Sequence, residues 1–385
     1  MDRKFVILII IGFILTFLAA CNQSSSVSSS TVDTIKIGII TDLSGPGSTL
    51  GPGAVNAAEL AVEEINANGG VLGKEVELFI GDSASDAQTA NDQAKTILNK
   101  NKADALFLMS NSANREAMIS TVEKAKKLFF YTPIYEGGAF GDNMYFGGEV
   151  PTQQIKPVIP YIMEKYNAKK WFIVGNDYVW ARKTSEILKE TVEGNGGELV
   201  GEEYVPMGTS DFSTIISNIK NANPDFISVE VVGADAISFV KQLKSMGLDK
   251  GLFAYNVDED SFKAMGEGAV GMLEASSYFS TLDTDANKAF LQKYKDKFGE
   301  DAPRPNFVSN SPYEPIHLWA EAVNKAGSLE LDKVNEALPT VSFAGPKGEV
   351  SLDSETHHAA LPIYLGEVKE NLEVNIVKEF GIIKP

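Results

Sequence analysis

Apolar positions along this 385-residue chain follow three regimes. Residues 6–18 form a nearly unbroken apolar run behind Arg3 and Lys4. A spanning helix needs about 20 apolar residues, so the run is short for one and suits the apolar core of a removable signal peptide, residues 1–20. Periodicity then vanishes in a Ser-rich stretch to about Thr34, which reads as a flexible tether. From Thr34 onward, short β-rich runs alternate with stretches of helical period.

Strands are expected at 35–41, 76–81, 105–109 and 128–131, and again at 171–174, 199–205, 226–232 and 252–255. Between them, Ala54, Ala57, Ala58, Ala61, Val62 and Ile65 recur on one helical face that Gly69-Gly70 closes. Further helices are expected at 86–99, 112–126, 180–194 and 235–246. Another runs through Ile215, Ile216 and Ile219, with Thr209-Ser210-Asp211 as its cap. Helices at 285–298, 312–326 and 332–338 follow, then a hairpin of 362–368 and 372–380 around Glu370-Asn371. Strand–helix alternation implies an α/β fold with parallel sheets covered on both faces. Two such series suggest two doubly wound parallel-sheet lobes joined by a multi-crossing hinge. Ligands bind such sheets at the carboxyl ends of their strands.

Composition narrows the function. The net charge of −18 argues against a nucleic-acid groove, which needs Lys and Arg to neutralise phosphate. One Cys and three His leave no disulfide framework and no Cys/His zinc cluster. Residues 208–212 begin like a nucleophile elbow but lack its last Gly. Residues 45–53 are Gly-rich without phosphate-loop spacing. His357-His358 is expected at the surface, and Asp258-Glu259-Asp260 as favourable charge opening a short helix. No cofactor, metal or catalytic motif emerges, and an amidohydrolase reading finds no nucleophile–base pair.

The strand–helix junctions are the better candidates. Ser110, Ser112 and Ala113 sit where the first helical N–H groups are unpaired. Ser112 reads equally as an ordinary cap or as a grip on a ligand oxygen. Tyr131, Tyr178 and Trp180 lie at junctions where they can wall a cleft. Ala234 and Asp235 occupy another junction.

Two resemblances sharpen this. Leu18-Ala19-Ala20-Cys21 resembles the lipobox of bacterial lipoproteins. It implies lipidation of Cys21, a tether over 21–33 and an extracytoplasmic location at the membrane. Glu63 to Gly73, Phe130 to Gly138, Pro151-Thr152-Gln153-Gln154, Val174 to Val179 and the segment ending in His357-His358 resemble class I periplasmic binding proteins. Within them, Tyr135-Glu136-Gly137-Gly138, the Gln pair and the His pair resemble the urea and short-chain-amide receptor branch.

The resemblance implies one lobe of 34–149 plus about 280–340, and another of 150–279 plus about 341–385. It implies Ser112 on the ligand oxygen, Tyr131, Tyr178 and Trp180 as pocket aromatics, and Ala234 at a ligand-contact position beside Asp235. Ser110 replaces an aromatic of the branch, Ala181 a Pro, and Asn310 the Glu of urea receptors; these departures count against urea itself. The expected function is a non-enzymatic, extracytoplasmic solute-binding lipoprotein serving ABC permease and ATPase subunits. Its solute would be an amide, urea or amino acid. One alternative is a branched-chain or other amino-acid receptor with Asp235 or Asp258 facing the ammonium. Another is an amide sensor without transport.

Overall fold

The computed structural model describes residues 33–385. The expected signal peptide, Cys21 and nearly all of the tether lie outside the described residues. No helix among the described residues is long and apolar enough to cross a membrane.

Strands β1 (Ile35–Thr41), β2 (Val76–Asp82), β3 (Ala105–Met109), β4 (Leu128–Tyr131) and β5 (Met144–Phe146) form the first sheet. Their order is β2-β1-β3-β4-β5 and every pairing is parallel. Alternate residues serve different cores. Ile37, Ile39, Phe107 and Phe130 pack with α1 (Gly51–Ala67). Ile40, Leu106, Leu108 and Phe129 pack with α2 (Ala87–Lys95) and α3 (Ser112–Ala125). Burial on both faces is what a parallel sheet requires.

After α4 (Pro151–Ile155) and α5 (Val158–Tyr166), the pattern repeats. Strands β6 (Lys170–Asn176), β7 (Glu198–Val205), β8 (Phe226–Glu230), β9 (Gly251–Ala254) and β10 (Leu273–Ser276) make a parallel body. They alternate with α6 (Val179–Gly194), α7 (Ser213–Ala222), α8 (Ala234–Ser245) and α9 (Glu259–Met265). Helices α10 (Asp285–Phe298) and α11 (Tyr313–Ala326) pack on α1 of the first sheet, and α12 (Leu331–Ala337) packs on α11. There Asn56 donates to the Tyr294 hydroxyl at 2.9 Å and Leu72 N–H to Asn324 at 2.7 Å. The tail then returns as β11 (Ser342–Gly345), β12 (Gly348–Leu352), β13 (Ala359–Val368) and β14 (Val374–Ile383), all antiparallel. β13 joins the second sheet alongside β10.

Side chains stitch the crossings between the sheets. Glu149 is buried and accepts from Ser277 N–H at 2.6 Å. Gln153 donates to the Ala359 and Ile383 carbonyls, and Gln154 to those of Tyr255 and Ala275.

Two local expectations are corrected. Helix α7 starts after Phe212, with no side-chain cap; Asp211 instead accepts from Ser213 N–H, two residues on, at 3.0 Å. A fully buried Phe212 sets that helix start. The histidine pair is not superficial either. His358 is buried, stacked on Phe146 at 4.4 Å and bonded to the Tyr135 hydroxyl. Burial pushes its imidazole pKa down. His357 is half-buried and stacks on Tyr145. The pair ties the tail to the first sheet, and no metal-binding cluster is found among the described residues. Asp258 does open α9, accepting from Ser261 N–H at 2.7 Å.

Candidate functional site

The site is built at the carboxyl ends of β3, β4, β6 and β8. On the first sheet, β3 runs into Ser110 and α3. Asn111 caps that helix, accepting from Asn114 N–H at 3.0 Å, so Ser112 is its first helical residue. The Ser112 hydroxyl is therefore not needed for capping. It donates to Oε2 of Glu136 at 3.1 Å. The other oxygen of Glu136 accepts from Arg115 Nη2 at 3.2 Å. Arg115 is buried, its guanidinium 4.8 Å from the ring centroids of both Tyr131 and Tyr135. That aromatic clamp holds the charge in one place.

Ser110 faces inward. Its hydroxyl donates to Asp42 at 2.6 Å and accepts from Asn114 Nδ2 at 2.7 Å. Tyr131 is fully buried and donates to the Ser110 carbonyl at 3.0 Å. Burial raises its phenol pKa to about 12. Ala113 is exposed at the start of α3.

On the second sheet, Tyr178 precedes α6 and stacks on Trp180 at 6.0 Å; Trp180 in turn meets Tyr255 edge-on. Tyr178 is half-buried and Trp180 buried, and Trp180 Nε1 has no hydrogen-bond partner among the described residues. Burial pushes the Tyr178 phenol pKa up, and the charges of Glu230 and Glu136 push it further, with a contribution from Tyr131. Glu136 and Val179, the residue after Tyr178, line one cavity, which sets a junction of the first sheet against one of the second.

Ala234 opens α8, exposed, after Gly233 at φ +57°. Asp235 is buried and committed. Its Oδ2 accepts from Asn176 Nδ2 at 2.7 Å and Gly208 N–H at 2.9 Å, while Asn176 Oδ1 accepts from Val232 N–H. One carboxylate thereby ties three junctions together. Asp235→Ala is expected to cost about 1–3 kcal/mol, because it leaves a buried amide and a backbone N–H unpaired. A urea midpoint unchanged from the parent would refute that role. Asn310 is buried in the turn before α11, and neither of its side-chain polar atoms is hydrogen-bonded among the described residues.

Sequence reasoning treated this site as hydroxyls, rings and N–H groups. The structure adds charge. Glu136 was noticed only as part of a motif, and Arg115 was missed although it lies one helical turn after Ser112. Glu230 ends the buried run of β8, a position where a lone acid is itself a signal. It is fully buried and accepts from Ser185, from Tyr255 at 2.8 Å and from Ser228 at 3.0 Å. A cavity of about 560 Å³ opens at the mouth between the sheets, lined by Gly47, Leu50, Gly233, Ile237, Asp258 and Arg304.

Comparison with known proteins bears on the fold and the family. The chain is 26% identical over 361 residues to the leucine-, isoleucine-, valine-, threonine- and alanine-binding protein of Pseudomonas aeruginosa, covering 92% of each chain. It is 28% identical over 225 residues to Leu/Ile/Val-binding protein homolog 6 of Brucella melitensis, a match spanning 56% of this chain and little more than half, 57%, of that relative. In structure it is similar to an ABC transporter substrate-binding protein from Sphaerobacter thermophilus. The TM-score is 0.83 at 22% identity, over 91% of this chain and 98% of that one. The family model described as periplasmic binding protein domain matches residues 35–385, and the chain belongs to that family.

Proposed function

We propose that the chain captures a small polar solute between two α/β lobes, outside the cytoplasm, for ABC permease and ATPase subunits, held to the membrane by lipid on Cys21. The lobes are residues 34–149 with about 280–340, and 150–279 with about 341–385. The reading rests chiefly on the junction of Ser112 and Glu136, which shares a cavity with Val179 at the start of α6 on the other sheet.

The same junction bears on ligand class. At the start of α3 a ligand carboxylate would meet the Glu136 carboxylate, and like charges at close range repel. A solute that carries N–H donors and a neutral carbonyl fits better. Its N–H groups take the place of the Ser112 hydroxyl on Glu136, which frees that single proton for the ligand oxygen beside the α3 N–H groups, and Tyr178 and Trp180 exclude water. This favours amides or urea-type solutes. An amino acid is the second reading, favoured by what the Pseudomonas relative is named for. With Asp235 committed and Asp258 capping α9, Glu136 would then face the ammonium.

Calorimetry with acetamide, urea, leucine and acetate tests this. Acetamide or urea is expected to bind and acetate not to. Ser112→Ala is expected to weaken acetamide binding about tenfold to a hundredfold, the value of a hydrogen bond in a charged cluster. Acetate or leucine binding without either amide would refute the ligand class, and silence with all four would refute recognition of the bare head group at Ser112 and Glu136.

A further inference from the structure

A second cavity, about 630 Å³, lies on the flank of the site toward the crossings between the sheets. One wall is the face of α6 carrying Val179, Lys183 and Ile187, spaced four residues apart. The other is the loop Glu136 to Phe140, and Val150, Pro151 and the ring of His358 form the base. Its character is apolar, and two of its apolar side chains lack cover: Phe140 is 57% and Val179 65% exposed. Exposed apolar side chains that converge on one concavity mark a binding groove rather than a solvated face.

The loop geometry keeps this groove open. Gly137 and Gly138 adopt φ of +83° and +78°, and a Cβ at Gly138 would meet nothing within 4 Å. Side chains at these positions would be strained and would fill the space. Glu136 lines the groove and also accepts from Ser112. Val179 lines it and directly follows Tyr178. Glu136 is therefore common to the polar site and the groove, and on the other sheet the groove begins one residue after Tyr178.

We infer that the groove receives the apolar tail of the solute whose polar head lies at Ser112, Glu136 and Tyr178. This rests on the receptor reading above and narrows it: the substrate class is amides with an extended alkyl or aryl tail rather than the shortest amides. The cavity has the volume of sites that take drug-sized molecules, far beyond what urea fills. Lys183 at its rim is paired with Glu186 at 2.8 Å, so the entrance offers no unpaired lysine to a second carboxylate.

The test is calorimetry on purified protein with acetamide, butyramide and hexanamide. Affinity is expected to rise about fourfold for each added methylene that is buried. Ile187→Ser and, separately, the solvent-facing change Phe140→Ser are each expected to lower hexanamide affinity about tenfold relative to acetamide. Acetamide binding as tightly as hexanamide would overturn the groove while leaving the receptor role standing; this is also the result if a protein partner covers it. A chain-length gain untouched by either variant would place the tail elsewhere and overturn the proposal too. Failure of every amide to bind would instead overturn the receptor reading beneath it.

Discussion

Glu314→Ala is expected to lower stability by about 3–5 kcal/mol, the cost of stripping a buried charge of its partner. Glu314 lies in the first turn of α11, and Lys347 in the turn between β11 and β12. They are 1% and 2% exposed, with Lys347 Nζ 3.3 Å from Glu314 Oε2. Neither Glu314 oxygen has a hydrogen-bond partner among the described residues, so attraction to the ammonium is what offsets its desolvation. Around the pair, the Lys347 carbonyl accepts from Tyr364, and a Cβ at Gly345 would lie 3.2 Å from Glu314 Cγ, which leaves little room for water. Replacing both charges, as Glu314→Met with Lys347→Met, is expected to be near neutral or stabilising, because no orphan charge remains. Urea unfolding of the single and double variants separates these outcomes. A loss below about 1 kcal/mol in the single variant would show that water reaches the pair.

The second large effect is on pH. Burial drives the Glu230 carboxyl from 4.5 to about 7, aided by the charge of Glu202 and opposed by the hydroxyls of Ser185, Tyr255 and Ser228. In the folded protein the group keeps its proton up to near neutrality, whereas the unfolded chain releases it above about 4.5. Folding stability from this residue is therefore full below pH ~4.5 and lost as pH rises through ~7, in total about 3 kcal/mol. Glu230→Gln mimics the protonated form and is expected to flatten that part of the curve, gaining stability at pH 8 but not at pH 4.5. Glu274 and Glu259 are also held above the ordinary carboxyl range by burial, so the variant retains a slope. The informative quantity is the difference between the two curves. Parallel curves from pH 4.5 to 8 would contradict the assignment.

Much of the architecture was readable because parallel strands buried on both faces leave continuous apolar runs. β1, β3 and β4 fall on the expected residues for that reason. What escaped notice obeys other rules. β5 is three residues long, below the reach of any periodicity, and exists because Phe129, Phe130 and Tyr131 offer it a paired edge. α4 and α5 follow one another through Pro157, which interrupts the helical pattern. β10 is a four-residue strand with a buried acid, Glu274, too short and too polar to stand out as an apolar run. At the site, the aromatic and hydroxyl positions were visible as loop residues after strands. Asp235 was visible in the same way, but the roles of Glu136, Glu230 and Arg115 were not, since a charged side chain in sequence looks like solvated surface until burial and partners are known. The buried His358 misled for the same reason.

Gln153 and Ile383, 230 residues apart, share a hydrogen bond, and β13 supplies the pairing edge for β10, β12 and β14 at once. Such contacts reward the chain only after nearly all of it is available, while the entropy of closing those loops is lost first. The final strands are thus the keystone of folding order. A chain emerging amino-terminus first can assemble β1 to β4 early, yet the second sheet stays without its antiparallel margin until its last 30 or so residues arrive. For a chain that acts outside the cytoplasm, as proposed above, late completion of this kind would favour passage across a membrane before the fold locks.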